Sequence, residues 1–210
     1  MKKFLIVGEL NAVTYKEIFP LIKENKVWLG VKNVNTDMVF KVPSYYEAKT
    51  TRYWQDENGQ KWRSLGNACW LTNIDHKKRH EEITLYKKYN AENYPKYDNY
   101  DAIEVGKVTE IPMDYDGIMG VPITFLDKYN PSQFEIIWTT DRGGDGMLEN
   151  IKKLPFDKSW DSAWINGKKV YKRILIKNKH PRLQCSITSK KKNTGQSFTP
   201  LPFSPLREIP

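Results

Sequence analysis

The sequence predicts an α/β fold, and three observations carry the prediction. KFLIVG at 3–8 is a continuous apolar run closed by glycine, an amphipathic stretch follows, and a second short apolar strand spans Val27 to Val31. Strand, helix and strand in that order make a βαβ unit, the repeat of doubly wound, Rossmann-like sheets. Beyond it, hairpin signals and charged stretches replace that repeat, which predicts a partial Rossmann-like sheet followed by an α+β region. Only Met1 and Lys2 stand ahead of the first strand, so the loop that normally holds a cofactor in front of such a unit is expected to lie elsewhere.

The elements follow in order. KFLIVG suits a buried parallel strand. Thr14 offers an N-cap and Glu17 completes a capping box, while Ile18, Leu21 and Ile22 supply the apolar face of a helix ending near Asn25. Pro20 predicts that this helix is short or bent, since an interior proline costs about 3 kcal/mol. Residues 32–48 read as a connection. Two aromatic-rich strands then flank Glu57-Asn58-Gly59, where Asn-Gly predicts a type I′ turn. ACWLTNI is the next strand, and HKKRHEEITLYKK, 76–88, reads as a charged helix capped by Asp75. The tyrosine-crowded stretch 89–115 predicts loop with short strands. Apolar runs return in DGIMGVPITFLDKYNPSQFEIIW, and INGKKVYKRILIKN predicts a hairpin turning at Asn166-Gly167, with Val170, Ile174 and Ile176 in its β-prone flank.

Composition bounds the function classes. The chain has 210 residues, enough for one full domain or two small ones. No apolar run approaches the roughly 18 residues of a membrane span, and Phe4 to Val7 is too short for a signal-peptide core. Two cysteines, Cys69 and Cys185, are too few for a disulfide framework; a cytoplasmic chain with two reduced thiols is expected, a single bridge being the alternative. The formal charge of +9 favours a polyanionic partner. Part of that excess sits in the tail, where solvation alone is an equal explanation. The tail also holds five of the chain's twelve prolines without periodicity, so 180–210 reads as disordered or weakly docked.

Several motifs point away from catalysis within this chain. His76 and His80 stand four apart, but Lys77 occupies the place of the glutamate in a zinc-protease helix, so a solvated face is expected. DRGGDGM at 141–147 lacks the Lys-Ser/Thr ending of a phosphate loop and reads as a surface turn. No serine stands in a nucleophile-elbow context, and Cys69 has no histidine nearby in sequence. YNPSQF resembles the Asn/Asp-Pro-Pro-aromatic loop of amino-methyltransferases, where a side-chain oxygen and a proline carbonyl accept the hydrogens of a poorly nucleophilic exocyclic amine. Ser132 replaces the second proline and Phe134 comes one place late, so Asn130 is expected as a helix cap with Pro131 in the first turn.

Four blocks, KFLIVGELNAVTYKEIFPLIKENKVWLG, RSLGNACWLTNIDHKKRHE, GVPITFLDKYNPSQFEII and INGKKVYKRILIK, together resemble the EcoRI-type adenine-specific DNA methyltransferases, in order from residue 3 to about 177. The resemblance implies DNA adenine N6-methylation with S-adenosylmethionine on double-stranded DNA. It also implies a first half, carrying the cofactor loop and an Asn-Pro-Pro-Phe catalytic loop, that this sequence lacks. The chain then looks like the second half: 1–75 as the rear of the methyltransferase sheet, 76–179 as the target-recognition region, and 180–210 as a tail outside the family pattern. By the same resemblance Trp70 packs against a flipped adenine with Asn73 as a polar neighbour, or Trp70 is plain sheet core. Arg52, Lys61, Arg63, Lys77, Lys78 and Arg79 are the expected phosphate contacts, and Arg63 or Gln60 the candidates to read a base edge. Three readings stay open: an incomplete methyltransferase that works with a separately encoded first half, a non-catalytic DNA-binding remnant, and a fragment with no stable fold. In the first the chain alone neither binds the cofactor nor methylates DNA. Exposure of the first strand predicts poor solubility or self-association.

Overall fold

The computed structural model describes residues 2–47, 51–140 and 162–182. Its architecture is mixed α/β, with four sheets and little helix among those residues. The first sheet joins β1 (Leu5–Glu9), β2 (Trp28–Leu29) and β6 (Ala68–Thr72) in the order β1-β6-β2. Both outer strands run antiparallel to β6 and therefore parallel to each other. The βαβ connection is present, yet β6 is inserted between its strands.

That insertion corrects the reading of 3–8 as a buried parallel strand. β1 pairs antiparallel and lies at the sheet edge, where Leu5 and Ile6 are each 55% exposed and Val7 43%. Between β1 and β2 a 3-10 turn, Leu10–Thr14, leads to α1, Phe19–Lys23. Pro20 sits in the first turn of α1, where a missing N–H costs nothing, and the helix is one turn and a half long. No capping box forms: the Thr14 hydroxyl donates to the Asn11 carbonyl at 3.1 Å instead. The helix stops at Asn25, whose φ of 58° lets Lys26 N–H reach the Leu21 carbonyl (2.8 Å) and its own N–H reach Ile22 (3.0 Å).

The second sheet contains β3 (Met38–Lys41), β4 (Tyr53–Gln55) and β5 (Lys61–Leu65), antiparallel in the order β3-β5-β4. β3 occupies a stretch that reads as connection in the sequence. The β4–β5 turn is not type I′, because Gly59 takes positive φ (76°) while Asn58 does not. The Asp56 carboxylate closes it by accepting the N–H groups of Asn58 (3.0 Å) and Gln60 (2.9 Å). No residue of β3, β4 or β5 enters the main hydrophobic cluster.

Residues 76–88 depart most from expectation. A single 3-10 turn, Lys77–His80, replaces the helix, and the residues after it form no helix, with one isolated bridge from Lys87 to Pro112. Tertiary contacts override helix propensity here. Lys78 turns inward to Asp127, Arg79 to Trp28, and the Gln133 amide binds both the N–H and the C=O of Ile83, each at 2.8 Å. Asp75 caps no helix; it holds Arg79 and His80.

The largest sheet joins β7 (Ala102–Glu104), β8 (Ile118–Pro122), β9 (Phe134–Thr139) and β12 (Arg173–Asn178) in the order β7-β8-β12-β9, parallel only at β7/β8. Its strands give the core Ile103, Met119, Val121, Phe134, Ile174 and Ile176, all sealed from solvent. Asn130 starts a turn rather than a helix: its side chain accepts Ser132 N–H at 2.8 Å, its carbonyl accepts Gln133 and Phe134, and β9 begins directly. The hairpin β10 (Trp164–Ile165) and β11 (Lys168–Lys169) turns at Asn166-Gly167 as expected, and both residues take positive φ (49° and 70°), as in a type I′ turn. Ile174 and Ile176, however, serve β12 and the large sheet. The glycine-rich stretch 141–147, Cys185 and nearly all of the proline-rich tail lie outside the described residues. No helix among the described residues is long and apolar enough to cross a membrane.

Candidate nucleic-acid interface

The chain passes from β5 into β6 through Gly66-Asn67, and β1 ends beside that joint, held by Leu10 N–H on the Asn67 carbonyl at 2.6 Å. A cleft of about 580 Å³ opens there, at the carboxyl end of β1, with Val7, Glu9, Arg52, Arg63 and Asn67 among its lining. The cleft lies where the edge strand β1 meets the joint between β5 and β6.

Arg52 packs its guanidinium directly on Gly66, where an added Cβ would come within 1.7 Å of Nη1. Any side chain at 66 would displace it. Asp37 holds Arg52 at 3.3 Å and accepts the Ser64 hydroxyl at 3.0 Å. Arg63 donates to the Tyr46 hydroxyl and lies 5.7 Å over the Tyr46 ring, which stacks in turn on Tyr53. The Arg63 Nε is buried without a hydrogen-bond partner among the described residues. Lys61 donates to the carbonyls of Ser44 (2.5 Å) and Tyr46 (3.2 Å), so its ammonium fastens the 43–47 loop to the sheet.

The other expected contacts lie elsewhere. Lys77 is exposed. Lys78 forms an ion pair with Asp127 at 2.6 Å, a carboxylate whose side chain is 3% exposed. Arg79 is buried, 3.5 Å over Trp28, with further contacts to Asp75 and Asn25. Among the described residues, two of the six basic candidates thus line the cleft, one lies exposed on the surface, and three are committed to the fold.

Because β6 runs antiparallel to β1, its start borders the cleft and its end lies by the chain start. Trp70 faces Val7 half-buried in mid-strand, with Gly30 pressed against it. Asn73 accepts Phe4 N–H and donates to the Lys2 carbonyl, both at 2.9 Å. Neither Trp70 nor Asn73 lines the cleft. Glu9 and Asn67 do, and the sequence reading passed over both. Glu9 follows Gly8 at the end of the apolar strand β1. Asn11 joins Glu9 at 3.0 Å and accepts the Tyr171 hydroxyl at 3.0 Å.

His76 and His80 serve the fold as well: the His76 Nε2 meets the Leu29 carbonyl at 2.9 Å and the His80 ring meets Asp75 at 2.9 Å. The Asp75 carboxyl is held below its ordinary range, chiefly by that His80 contact. Burial pushes the Cys69 thiol up to about 11, so it is an inert core group rather than a nucleophile. No group of three or more His, Cys, Asp or Glu positioned for a metal occurs among the described residues.

Residues 1–179 match the family described as adenine-specific methyltransferase EcoRI. The chain is 50% identical over 185 residues to the type II methyltransferase M.EcoRI of Escherichia coli, covering 87% of this chain and 52% of that protein. It is 39% identical over 183 residues to M.MgeORF184P of Mycoplasma genitalium and 37% identical over 185 residues to M.MpnI of Mycoplasma pneumoniae, covering 84% and 85% of this chain and 57% of each relative. The chain therefore spans about half the length of the curated relatives it matches. No solved structure matches it. With 179 of 210 residues inside one family pattern, the chain belongs to the EcoRI family of adenine-specific methyltransferases.

Proposed function

We propose that this chain is one portion of a site-specific DNA methyltransferase that methylates the N6 amine of adenine in duplex DNA. The continuous family match over residues 1–179 carries this reading. S-adenosylmethionine supplies the methyl group when bound. We assign none of the described residues to it: the cleft sets Arg52 and Arg63 beside Glu9 and Val7. The cofactor and the acceptors for the amine hydrogens are assigned to the portion these residues do not span, on the same polypeptide or on another.

The role left to this chain is to hold DNA and complete the sheet. Arg52 and Arg63 in the cleft, with Lys77 on the surface, take backbone phosphates, an interaction that adds affinity without reading sequence. Trp70 remains the candidate neighbour of a flipped adenine, with Asn73 behind it. The exposed outer edge of β1 favours completion by a further strand: among the described residues nothing pairs with it, and unpaired backbone beside apolar side chains is normally covered.

The test is transfer of labelled methyl from S-adenosylmethionine to duplex DNA by this chain, alone and mixed with the complementary portion of a relative. N6-methyladenine formed only by the mixture supports the proposal. DNA binding without methyl transfer in either sample would support the second reading, a DNA-binding remnant.

A further inference from the structure

The cleft beside β1 holds two opposite charges that form no ion pair with each other, Arg63 and Glu9. Arg63 has no carboxylate partner among the described residues: its guanidinium donates to the Tyr46 hydroxyl, and its Nε is sealed from water without an acceptor. A half-buried guanidinium in this state costs free energy until an anion reaches it. Glu9 stands in the same lining with one oxygen taken, Oε1 by the Asn11 amide at 3.0 Å, and Oε2 without a partner among the described residues. The Tyr171 hydroxyl holds Asn11 in turn at 3.0 Å, so the carboxylate is fixed in place rather than left to swing. The third charge of the lining is already balanced, since Arg52 pairs with Asp37.

The volume of the cleft, about 580 Å³, suits a nucleotide. Val7, Leu65 and Ala68 give it an apolar wall, and Asn67 adds a side-chain amide without a partner among the described residues. A ligand that satisfies all of these groups carries an anion at one end and, at the other, a planar edge with an N–H donor beside an acceptor. Within DNA that is the nucleotide of adenine or cytosine: phosphate to Arg63, exocyclic amine to Glu9, ring nitrogen to the Asn67 amide. Thymine sets a carbonyl oxygen where the amine would be. Guanine offers two adjacent donors, and Glu9 has one oxygen to spare. We infer that the cleft is a specificity site that holds an adenine or cytosine nucleotide of the substrate DNA. The inference rests on the methyltransferase reading and adds to it a site that reads sequence. The acceptors for the reacting amine are assigned to the other portion, so the base held here is a neighbour of the methylated adenine. Enzymes that extrude a base draw part of their sequence preference from such flanking nucleotides.

Titration of the isotope-labelled full chain with single deoxynucleoside monophosphates, followed through the amide signals of residues 7–9 and 63–68, tests it. The adenine and cytosine nucleotides are expected to bind about tenfold more tightly than those of thymine and hypoxanthine, the last being adenine with its amine replaced by oxygen. Glu9→Ala, at an exposed position, is expected to erase that preference while the thymine nucleotide still binds. Arg63→Gln is expected to reduce each nucleotide to the affinity of its free nucleoside. Melting curves of the variants confirm folding, and Glu9→Ala carries the test alone if Arg63→Gln unfolds. Equal affinity for every base, a preference that survives Glu9→Ala, or no binding up to the solubility of the nucleotides would overturn the site. Tighter binding of the guanine nucleotide would overturn the choice of base, and tighter binding of L-methionine would overturn the nucleotide and give the cleft to an amino acid. Each of these outcomes leaves the methyltransferase reading intact, because that reading stands or falls on methyl transfer by the reconstituted mixture.

Discussion

Arg79 lies over the face of Trp28 with its guanidinium carbon 3.5 Å from the ring centroid. The pair joins the turn after β6 to β2, and Asn25 and Asp75 hold the same guanidinium. A desolvated cation over an indole is worth about 2 kcal/mol. Arg79→Ala is therefore expected to lower the melting temperature by roughly 4–8 °C, while the DNA affinity of the folded fraction stays near wild type. Calorimetry beside a binding titration separates the two, and a lost affinity with unchanged melting would return Arg79 to the phosphate contacts.

Lys78 makes a comparable link to the 3-10 turn Ile123–Lys128 through Asp127. Removing one member of a buried pair strands the other charge, at a cost of about 3 kcal/mol. Lys78→Ala is expected to destabilise the chain by that order in urea at neutral pH. The double variant Lys78→Met/Asp127→Leu is expected to recover much of it. Equal instability in both would show that shape, not charge, matters at this site.

Legibility from sequence followed the range of the interactions. The strand at Ala68–Thr72 and the Asn166-Gly167 hairpin were readable because adjacent residues decide them. The 76–88 segment was not, because Trp28, Asp127 and Gln133 draw it out of a helix from distant points in the chain. β3 was hidden for the same reason: its pairing partner lies more than twenty residues on. For β1 the apolar run was plain, but periodicity does not reveal that an antiparallel strand enters beside it. The basic candidates were visible as residue types. Which of them face solvent depends on Tyr46, Asp127 and Trp28, and no local pattern names those partners.

Gln133 ties YNPSQF to the segment 81–85. Its amide makes two hydrogen bonds to the Ile83 backbone, together worth about 1–3 kcal/mol. Gln133→Ala is expected to speed amide exchange at Ile83 by tenfold or more while β9 keeps its protection. Unchanged exchange at Ile83 would show that burial alone orders the 81–85 segment.

Cys69 sets an alkaline limit. Its thiol is raised by burial to about 11 in the folded chain, against an ordinary value of 9.0 when unfolded. A group whose folded pKa is raised contributes stability that is complete below pH 9 and drains away as pH climbs toward 11. Wild type is expected to lose melting temperature across that window faster than Cys69→Ala does. Parallel curves for the two proteins would remove Cys69 as the cause.

The central claim is that this chain works by completing a methyltransferase sheet along β1, whose Leu5, Ile6 and Val7 stand exposed at an open edge. Amide hydrogen exchange of residues 5–9, measured on the chain alone and with the complementary portion of a relative, tests this most directly. The prediction is fast exchange at the outward amides alone and strong protection in the mixture, lost again in Ile6→Asp. Exchange at β1 that is already slow in the isolated chain, or unchanged by the added portion, would contradict the account.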